Sequence, residues 1–292
     1  MKMNVLSALF IALIMPFQLV AQITLMDDAG QTFVFARPVQ KIISLAPHIT
    51  ENLFAAGATS QVIATVTYSD YPEQAKQIPV IGDHSKYDLE AIIKLKPELI
   101  IAWKSGNPVD QVQQLKKLGF KIFVTDPYSL EDVAKNIQSM GRLMATESIA
   151  GEQAKKYLEK LKNLATEYKN KTRLNVFYQV WNEPLITINK KHIINHVIDL
   201  CGGNNVFEDL PVLAPRVSIE SVIMKNPDII MAGMAEGRED WLKNWRQWKT
   251  LTAVKQQHLF TINADWITRH TPRILLGAEK MCDYLDQVRN KS

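Results

Sequence analysis

The sequence lacks most of the residues and motifs on which common enzyme classes depend. It has only two cysteines, Cys201 and Cys282, in 292 residues. Neither of the glycine-rich phosphate-binding patterns, G-x-x-x-x-G-K-[ST] and G-x-G-x-x-G, occurs, and neither does the hydrolase pattern G-x-S-x-G. Nucleotide-binding enzymes and α/β-hydrolases therefore have no support in the sequence.

The chain also lacks a large excess of charge of one sign. The chain carries 34 Lys and Arg against 30 Asp and Glu, a formal net charge of +4. This mild excess predicts no nucleic-acid partner. What is present, 47% hydrophobic and 22% charged residues, is typical of a globular protein, and the length allows about two domains.

Only the N-terminus contains a long apolar run. Lys2 precedes a run of about 16 almost wholly apolar residues that ends at Val20, and Ala21 offers a small residue for cleavage. The run is short for a membrane span, and no cysteine follows it to carry a lipid. Residues 1–21 are therefore predicted to be a cleaved signal peptide, and the mature protein is predicted to be periplasmic.

The predicted export bears on the state of the two cysteines. In an oxidising compartment, two cysteines without neighbouring ligands favour a disulfide over a metal site. The alternative of two buried free thiols stays open, because the 282 − 201 = 81 positions between them do not show that they meet.

Short β-rich runs alternate with helical patterns along the mature chain. We predict an N-terminal α/β lobe over residues 22–145, one long helix over 146–172, and a C-terminal α/β lobe over 173–292. The helix would be on the order of 35 Å long. The predicted fold is α/β, with two Rossmann-like lobes that each contain a mostly parallel sheet, one long backbone helix between them, and a ligand cleft between the lobes.

An internal repeat supports two related lobes. Residues 88–102 align without gaps on residues 218–232, and both copies contain a helix cap, a glutamate, an apolar helix face, a proline and a buried strand. The glutamates are Glu90 and Glu220. The helix dipole explains a first-turn glutamate without a function, whereas their matching positions also predict one carboxylate per lobe for a partner.

Aromatic and charged side chains follow the predicted strands. The carboxyl ends of parallel strands are where open α/β sheets bind ligands. Flat aromatic faces with few charges suit a large, planar, partly apolar ligand, although each aromatic alone is also explained as core. These residues are Tyr68, Trp103, Trp181, Asp265 and Trp266.

Other patterns have two interpretations. His192 and His196 stand four apart, which is compatible with a metal site but favours an ordinary helix face. Trp241, Trp245 and Trp248 recur at helical spacing and predict a mostly buried stripe. Arg269 and Arg273 are candidates either to clamp a ligand or to pair with Asp265. Thr50 is predicted to cap a helix that ends near residue 56.

Several motifs together resemble a known family. After residue 21 the chain is similar, nearly end to end, to the periplasmic substrate-binding proteins of ATP-driven (ABC) importers whose lobes are joined by one long helix, and most similar to the cobalamin-binding branch. The motifs are Lys41-Ile-Ile-Ser-Leu-Ala-Pro47, Thr50-Glu-Asn-Leu-Phe-Ala-Ala-Gly57, Tyr68-Ser-Asp-Tyr-Pro72, Asp88-Leu-Glu90, Ile101-Ala-Trp103, Asp199-Leu-Cys-Gly-Gly-Asn204, Val217-Ser218 with Glu220, and Asp265-Trp266 with Arg269 and Pro272-Arg273.

The resemblance implies a monomeric receptor that carries cobalamin or a related corrinoid to a membrane permease, without a cofactor, a protein-bound metal or a catalytic residue. It implies that Tyr68, Trp103, Asp265, Trp266 and Arg269 line the corrinoid cleft, and we add His84 and Trp181 as candidates. It further implies that Cys201 and Cys282 form the family's disulfide and that Glu90 and Glu220 dock onto permease arginines.

The chain departs from that branch at two positions. Aromatic residues are expected near positions 84 and 214, where this sequence has His84 and Ala214. The alternative ligand within the same fold is haem or a ferric siderophore, with an iron ligand from Tyr68, His48 or His84. A periplasmic enzyme or metal carrier that uses scattered histidines is a further alternative from another class.

Overall fold

The computed structural model describes residues 22–234 and 241–290. The predicted signal peptide lies outside the described residues. Two four-stranded parallel sheets and one two-stranded antiparallel hairpin are present in the described chain. The predicted fold class of two α/β lobes is therefore confirmed.

The first lobe contains the hairpin and one parallel sheet. Its strands are β1 Ile23–Met26, β2 Thr32–Phe35, β3 Ile42–Ser44, β4 Val62–Ala64, β5 Leu99–Trp103 and β6 Ile122–Thr125. Its helices are α1 Pro47–Ala55, α2 Leu89–Leu95, α3 Val109–Lys117 and α4 Leu130–Met144, with a 3-10 helix at Glu73–Gln77. The sheet order is β4-β3-β5-β6.

The second lobe repeats this winding after the long helix α5, Glu147–Tyr168. Its strands are β7 Leu174–Gln179, β8 Gly203–Asn205, β9 Ile229–Met234 and β10 Leu259–Asn263. Its helices are α6 Ile193–Leu200, α7 Ile219–Lys225, α8 Thr252–Lys255, α9 Ala264–Thr268 and α10 Ile274–Arg289, with a 3-10 helix at Trp241–Gln247. The order β8-β7-β9-β10 matches the first sheet strand for strand.

The repeat found in the sequence has the same local structure in both copies. The Asp88 carboxylate accepts a hydrogen bond from the Ala91 amide at 3.0 Å, and the Ser218 hydroxyl accepts one from the Ser221 amide at 3.1 Å. Both helices end at a residue in the left-handed region, Lys96 with φ +48° or Asn226 with φ +40°. The following prolines, Pro97 and Pro227, prevent either helix from continuing.

Helix α5 buries one face against both lobes. Its buried residues recur every three or four positions, which is the spacing that keeps side chains on one side of a helix. They are Ala150, Ala154, Tyr157, Leu161, Leu164 and Tyr168. At 22 residues the helix is about 33 Å long. One contiguous hydrophobic core includes this face and residues of both sheets, so the lobes share packing rather than standing apart.

The two cysteines form a disulfide, as predicted. Cys201 follows α6 and Cys282 lies within α10, and both side chains are fully buried. The disulfide therefore links the last helix, α10, to the C-terminal end of α6. It lies within the second lobe and does not cross between lobes.

The start of α1 differs from the prediction. Thr50 is not the cap: the helix begins at Pro47, three residues earlier, because proline is well suited to the first helical turn. Thr50 is instead buried, and its hydroxyl lies 2.8 Å from the Ser44 hydroxyl and 2.7 Å from that of Thr65. The helix start thereby places His48 directly beyond the end of β3.

Candidate functional site

The predicted ligand residues lie at the carboxyl ends of both parallel sheets. Trp103 is the last residue of β5, and His48 follows β3, the adjacent strand. The winding reverses between these two strands, which is where open α/β sheets form a crevice. In the second lobe, α9 follows β10 directly and holds Asp265 and Trp266.

Three rings meet where the lobes join. The His48 and Trp103 ring centroids are 4.9 Å apart in an edge-on arrangement, and the His270 ring lies 5.4 Å from His48 and 5.7 Å from Trp103. His48 and Trp103 belong to the first lobe and His270 to the second. Buried polar atoms of all three rings, His48 Nε2, Trp103 Nε1 and His270 Nδ1, have no hydrogen-bond partner among the described residues. Such atoms are rare in native interiors and are often found at functional positions.

Burial keeps these histidines neutral. It lowers the pKa of His48 well below its usual value, helped by the nearby His270 and Arg269. Burial also lowers the pKa of His270 to about 4, with the Asp126 carboxylate acting in the opposite direction. The pKa of His192 is lowered to about 4, again mainly by burial and then by His270 and His196.

His192 has a structural role. Its Nδ1 accepts a hydrogen bond from the Ile194 amide at 3.2 Å and so caps α6. Within the described chain, no group of three or more His, Cys, Asp or Glu side chains is arranged to hold a metal ion.

Tyr68 is presented to solvent from a tightly held loop. Its backbone has φ +65°, in the left-handed region, and 70% of the residue is exposed. Ser69 turns inward, and its hydroxyl oxygen lies 2.7 Å from the Thr65 hydroxyl. A bulky residue with positive φ is uncommon and is kept only where its surroundings fix it.

Both candidate arginines bind carboxylates of the first lobe. Arg269 contacts Asp70 and Asp265, each at 2.9 Å, and only 10% of its side chain is exposed. The alternative of pairing with Asp265 is therefore realised, with a second partner from the other lobe.

Arg273 forms a buried bidentate ion pair with Glu51, with both contacts at 2.7 Å. The Glu51 side chain is 2% exposed and that of Arg273 is 15% exposed. The guanidinium also lies over the Tyr71 ring, 3.9 Å from its centroid. The Asn52 side-chain Nδ2 also donates a hydrogen bond to the His270 backbone carbonyl at 2.9 Å, so α1 is tied to residues 270–273.

The tryptophans of the second lobe differ in exposure and in their contacts. Trp181 is 45% exposed, and its ring lies edge-on to Trp241 with centroids 5.4 Å apart. Trp245 is buried and donates a hydrogen bond from its indole nitrogen to the Gln179 side chain at 2.8 Å. Of the predicted stripe, only Trp245 is buried: Trp241 and Trp248, at the start of the 3-10 helix and just after its end, are half-buried, and Trp241 contacts Trp181.

The two remaining ligand candidates occupy different surroundings. Trp266 is half-buried on α9, next to Asp265. His84 is exposed in the turn after Asp83, whose carboxylate accepts hydrogen bonds from the Ser85 and Lys86 amides. Ala214 is exposed as well.

The sequence contains no local signal for the residues that join the lobes, which are Asp70, Glu51 and His270. Asp70 lies in the Tyr68-Ser-Asp-Tyr-Pro72 motif, but it is 199 residues from Arg269 in the sequence, and local patterns do not predict a contact at that separation.

A cavity of about 630 Å³ lies beside the Glu51–Arg273 pair. Residues of α1, Tyr71 and the start of α5 line it, and none of the seven predicted ligand residues does so in the described chain. This cavity is therefore separate from the seven predicted ligand residues.

The two glutamates of the repeat are exposed on helices of opposite lobes. Glu90 lies in the first turn of α2 and Glu220 in the first turn of α7. In the ranges that the structure covers, no helix is long and apolar enough to cross a membrane.

Known proteins share this architecture. A vitamin B12-binding protein of Vibrio cholerae is 38% identical over 252 residues, which are 85% of this chain and 90% of the relative. The crystal structure of the periplasmic vitamin B12-binding protein of that organism superposes with a TM-score of 0.80, over 86% of this chain and 98% of the other. A possible iron-binding periplasmic solute-binding protein of Staphylococcus epidermidis is 27% identical with a TM-score of 0.74, over 85% of this chain and 99% of the other.

The model of one protein family, described as periplasmic binding protein, matches residues 42–266. This range includes both sheets and the long helix between them. The protein belongs to the periplasmic binding protein family.

Proposed function

We propose that this protein is a periplasmic receptor that binds cobalamin or a related corrinoid between its lobes and delivers it to an ABC importer. The observation that carries the proposal is the 38% identity to a vitamin B12-binding protein over 85% of the chain. It is supported by aromatic and charged side chains at the carboxyl ends of both sheets, where such a ligand would be held from two sides.

The ligand groups divide by chemistry. Trp103, Trp266, Trp181 and Tyr68 offer ring faces that would remove apolar surface of the corrin from water, at about 25 cal/mol per Å². Asp265 and Arg269 would fix polar edges of the ligand. His84 is exposed at the position where the cobalamin branch is expected to have an aromatic, and it is a candidate contact from the first lobe.

The receptor would carry its ligand without chemical change and would use no cofactor, with cobalamin as cargo. It would be a monomer, with no nucleic-acid partner. Glu90 and Glu220 would form ion pairs with basic residues of the membrane permease, one from each lobe. Removal of residues 1–21 during export would place the mature chain in the periplasm.

The direct test is calorimetric titration of residues 22–292 with cyanocobalamin and with cobinamide. We expect one site per chain and a dissociation constant below about 1 µM, which corresponds to about 8 kcal/mol of binding free energy. Tyr68→Ala and Trp266→Ala should each weaken binding by about tenfold or more, whereas Tyr68→Phe, which keeps the ring, should bind almost as the parent does.

Haemin is the matched control ligand. If the protein takes up haemin with a Soret band that His48→Ala or Tyr68→Phe abolishes, and binds no corrinoid, the haem receptor of the same fold replaces this proposal. Stoichiometric zinc or manganese in protein purified without chelator would instead favour a metal carrier.

A further inference from the structure

The loop of residues 68–72 contains the Tyr68 ring, which is 70% exposed, and three anchors, which are side chains in contact with other segments. Tyr68 points to solvent with φ +65°, whereas each of the next three side chains is bound. Ser69 contacts the Thr65 hydroxyl, Asp70 contacts Arg269, and Tyr71 covers the Arg273 guanidinium. Two of these anchors, Asp70 and Tyr71, contact residues of the second lobe.

The Asp70 anchor connects two parts of the proposed site. Arg269 lies four residues after Asp265 and binds both carboxylates at 2.9 Å, so a single guanidinium joins the loop of Tyr68 to the helix of Asp265 and Trp266. Because 90% of the Arg269 side chain is shielded while 45% of Asp70 is exposed, the arginine is the fixed member and the loop is what it holds.

The backbone conformation of Tyr68 requires contacts that hold it in place. A non-glycine residue in the left-handed region is less favourable than in extended or helical conformations, so the loop would relax away from this conformation unless neighbouring contacts held it. Asp70 is two residues away and is the loop's only ion pair with the opposite lobe in the part of the chain that the structure describes.

We propose that Asp70 is a positioning residue for the corrinoid site: through its ion pair with Arg269 it holds the Tyr68 ring at the cleft between the lobes. The proposal rests on the proposed function, because it concerns how that site is organised. Asp70 need not touch the ligand, and its effect on affinity passes through Tyr68.

A double-mutant cycle tests this route. Asp70→Asn keeps the shape and removes the charge, and it should weaken cyanocobalamin binding about tenfold in the parent. In a Tyr68→Ala background the same change should alter affinity by less than about twofold, because the ring it positions is gone. An equal loss in both backgrounds, or no loss in the parent, would overturn the proposal.

Two control variants exclude simpler explanations. Glu73→Gln removes a carboxylate three residues further on, which pairs with Lys76 at 2.8 Å within its own short helix, and it should not change affinity. Asp70→Glu keeps the charge and should return affinity to within about threefold of the parent. A loss with Glu73→Gln as large as with Asp70→Asn would indicate a general effect of surface charge and would overturn the assignment.

A second measurement needs no ligand. A fluorinated tyrosine at position 68 reports the mobility of the ring by ¹⁹F NMR, and Asp70→Asn should narrow and shift its resonance while Glu73→Gln leaves it unchanged. An identical spectrum in Asp70→Asn overturns the positioning role whatever the protein binds. If the parent binds no corrinoid but the resonance responds as expected, the proposed function fails and the positioning of Tyr68 stands.

Discussion

The two lobes have the same strand order but differ in the elements that carry their candidate ligand residues. Both sheets follow one strand order, and the repeated helix and strand begin 130 residues apart in the two lobes, Leu89 with Ile219 and Leu99 with Ile229. At the cleft, however, the first lobe offers Tyr68 from a loop, and the second offers Asp265 and Trp266 from α9. The repeated parts include the α2 and α7 helices and the strands that follow them, whereas Tyr68, Asp265 and Trp266 lie in parts that differ between the lobes.

The lobes also differ in how each is held together. The second lobe has the Cys201–Cys282 disulfide, and both cysteines of the chain are used in it. The first lobe depends on packing, including α4 against α5, with the hairpin of β1 and β2 beside it. In addition to the shared core along α5, ion pairs and rings around residues 269–273 join the two lobes.

The disulfide gives the largest expected difference between the lobes. Replacing both cysteines with alanine should lower the free energy of unfolding by roughly 4.5 kcal/mol, the chain-entropy value for a closed loop of 81 residues. Hydrogen exchange should show the loss in α6 and α10, with β3 and β5 still protected. Equal loss of protection in both lobes would show that they unfold as one unit.

Removing the arginine of the buried interlobe pair has the next largest effect. Arg273→Met should cost about 3 kcal/mol or more, because it leaves the Glu51 carboxylate buried without its partner. Urea unfolding measures the loss. The double variant Glu51→Gln with Arg273→Met should recover part of it, and a double variant less stable than the single one would contradict this explanation.

Charge reversal tests whether the two repeat helices are functionally equal. Glu90→Lys and Glu220→Lys should each reduce uptake of labelled cyanocobalamin about tenfold and together about a hundredfold, with binding in solution unchanged. Glu152→Lys with Glu159→Lys on α5 makes the same charge change elsewhere and should leave uptake intact. A loss from only one of the two reversals would show that one lobe docks alone.

Acid should weaken the junction between the lobes by a smaller amount. Folded His270 has its pKa lowered to about 4 from 6.5, so the unfolded chain binds protons first as the pH falls. The contribution of His270 to the free energy of unfolding should be constant above about pH 6.5. It should decrease between pH 6.5 and 4, and the loss should be about 1–2 kcal/mol at pH 5. Urea midpoints at pH 7 and pH 5 should differ less in His270→Asn than in the parent, while His84→Gln, which changes an exposed ring, serves as control.

Local patterns predicted the scaffold because their causes are local. A capping residue, an apolar face and a proline fixed α2 and α7 within a short stretch of chain, and the alternation of elements indicated two parallel sheets. The error at Thr50 arose because Pro47 is compatible with an earlier helix start. The short strands of the β1–β2 hairpin had too weak a pattern to be recognised.

The site was predictable only in part, for a physical reason. Residues that end strands could be found one by one, as with Trp103 and Asp265. Which side chains meet across the lobes depends on contacts between distant segments, such as Asn52 with His270, 218 residues apart, and no local rule encodes them. The histidines that looked scattered in the sequence are brought together by this packing.

The continuous core along α5 has a consequence for selection at the membrane. In the proposed docking, the shared core and the two arginine pairs would hold Glu90 and Glu220 at the same separation with or without ligand, so an empty receptor would offer the permease the same pair of contact points as a loaded one. Empty receptor should then act as a competitive inhibitor of uptake, measurable by adding ligand-free protein to reconstituted vesicles. Under this proposal, cells that make more receptor than there is vitamin would transport less, and the ratio of receptor to importer would affect their growth.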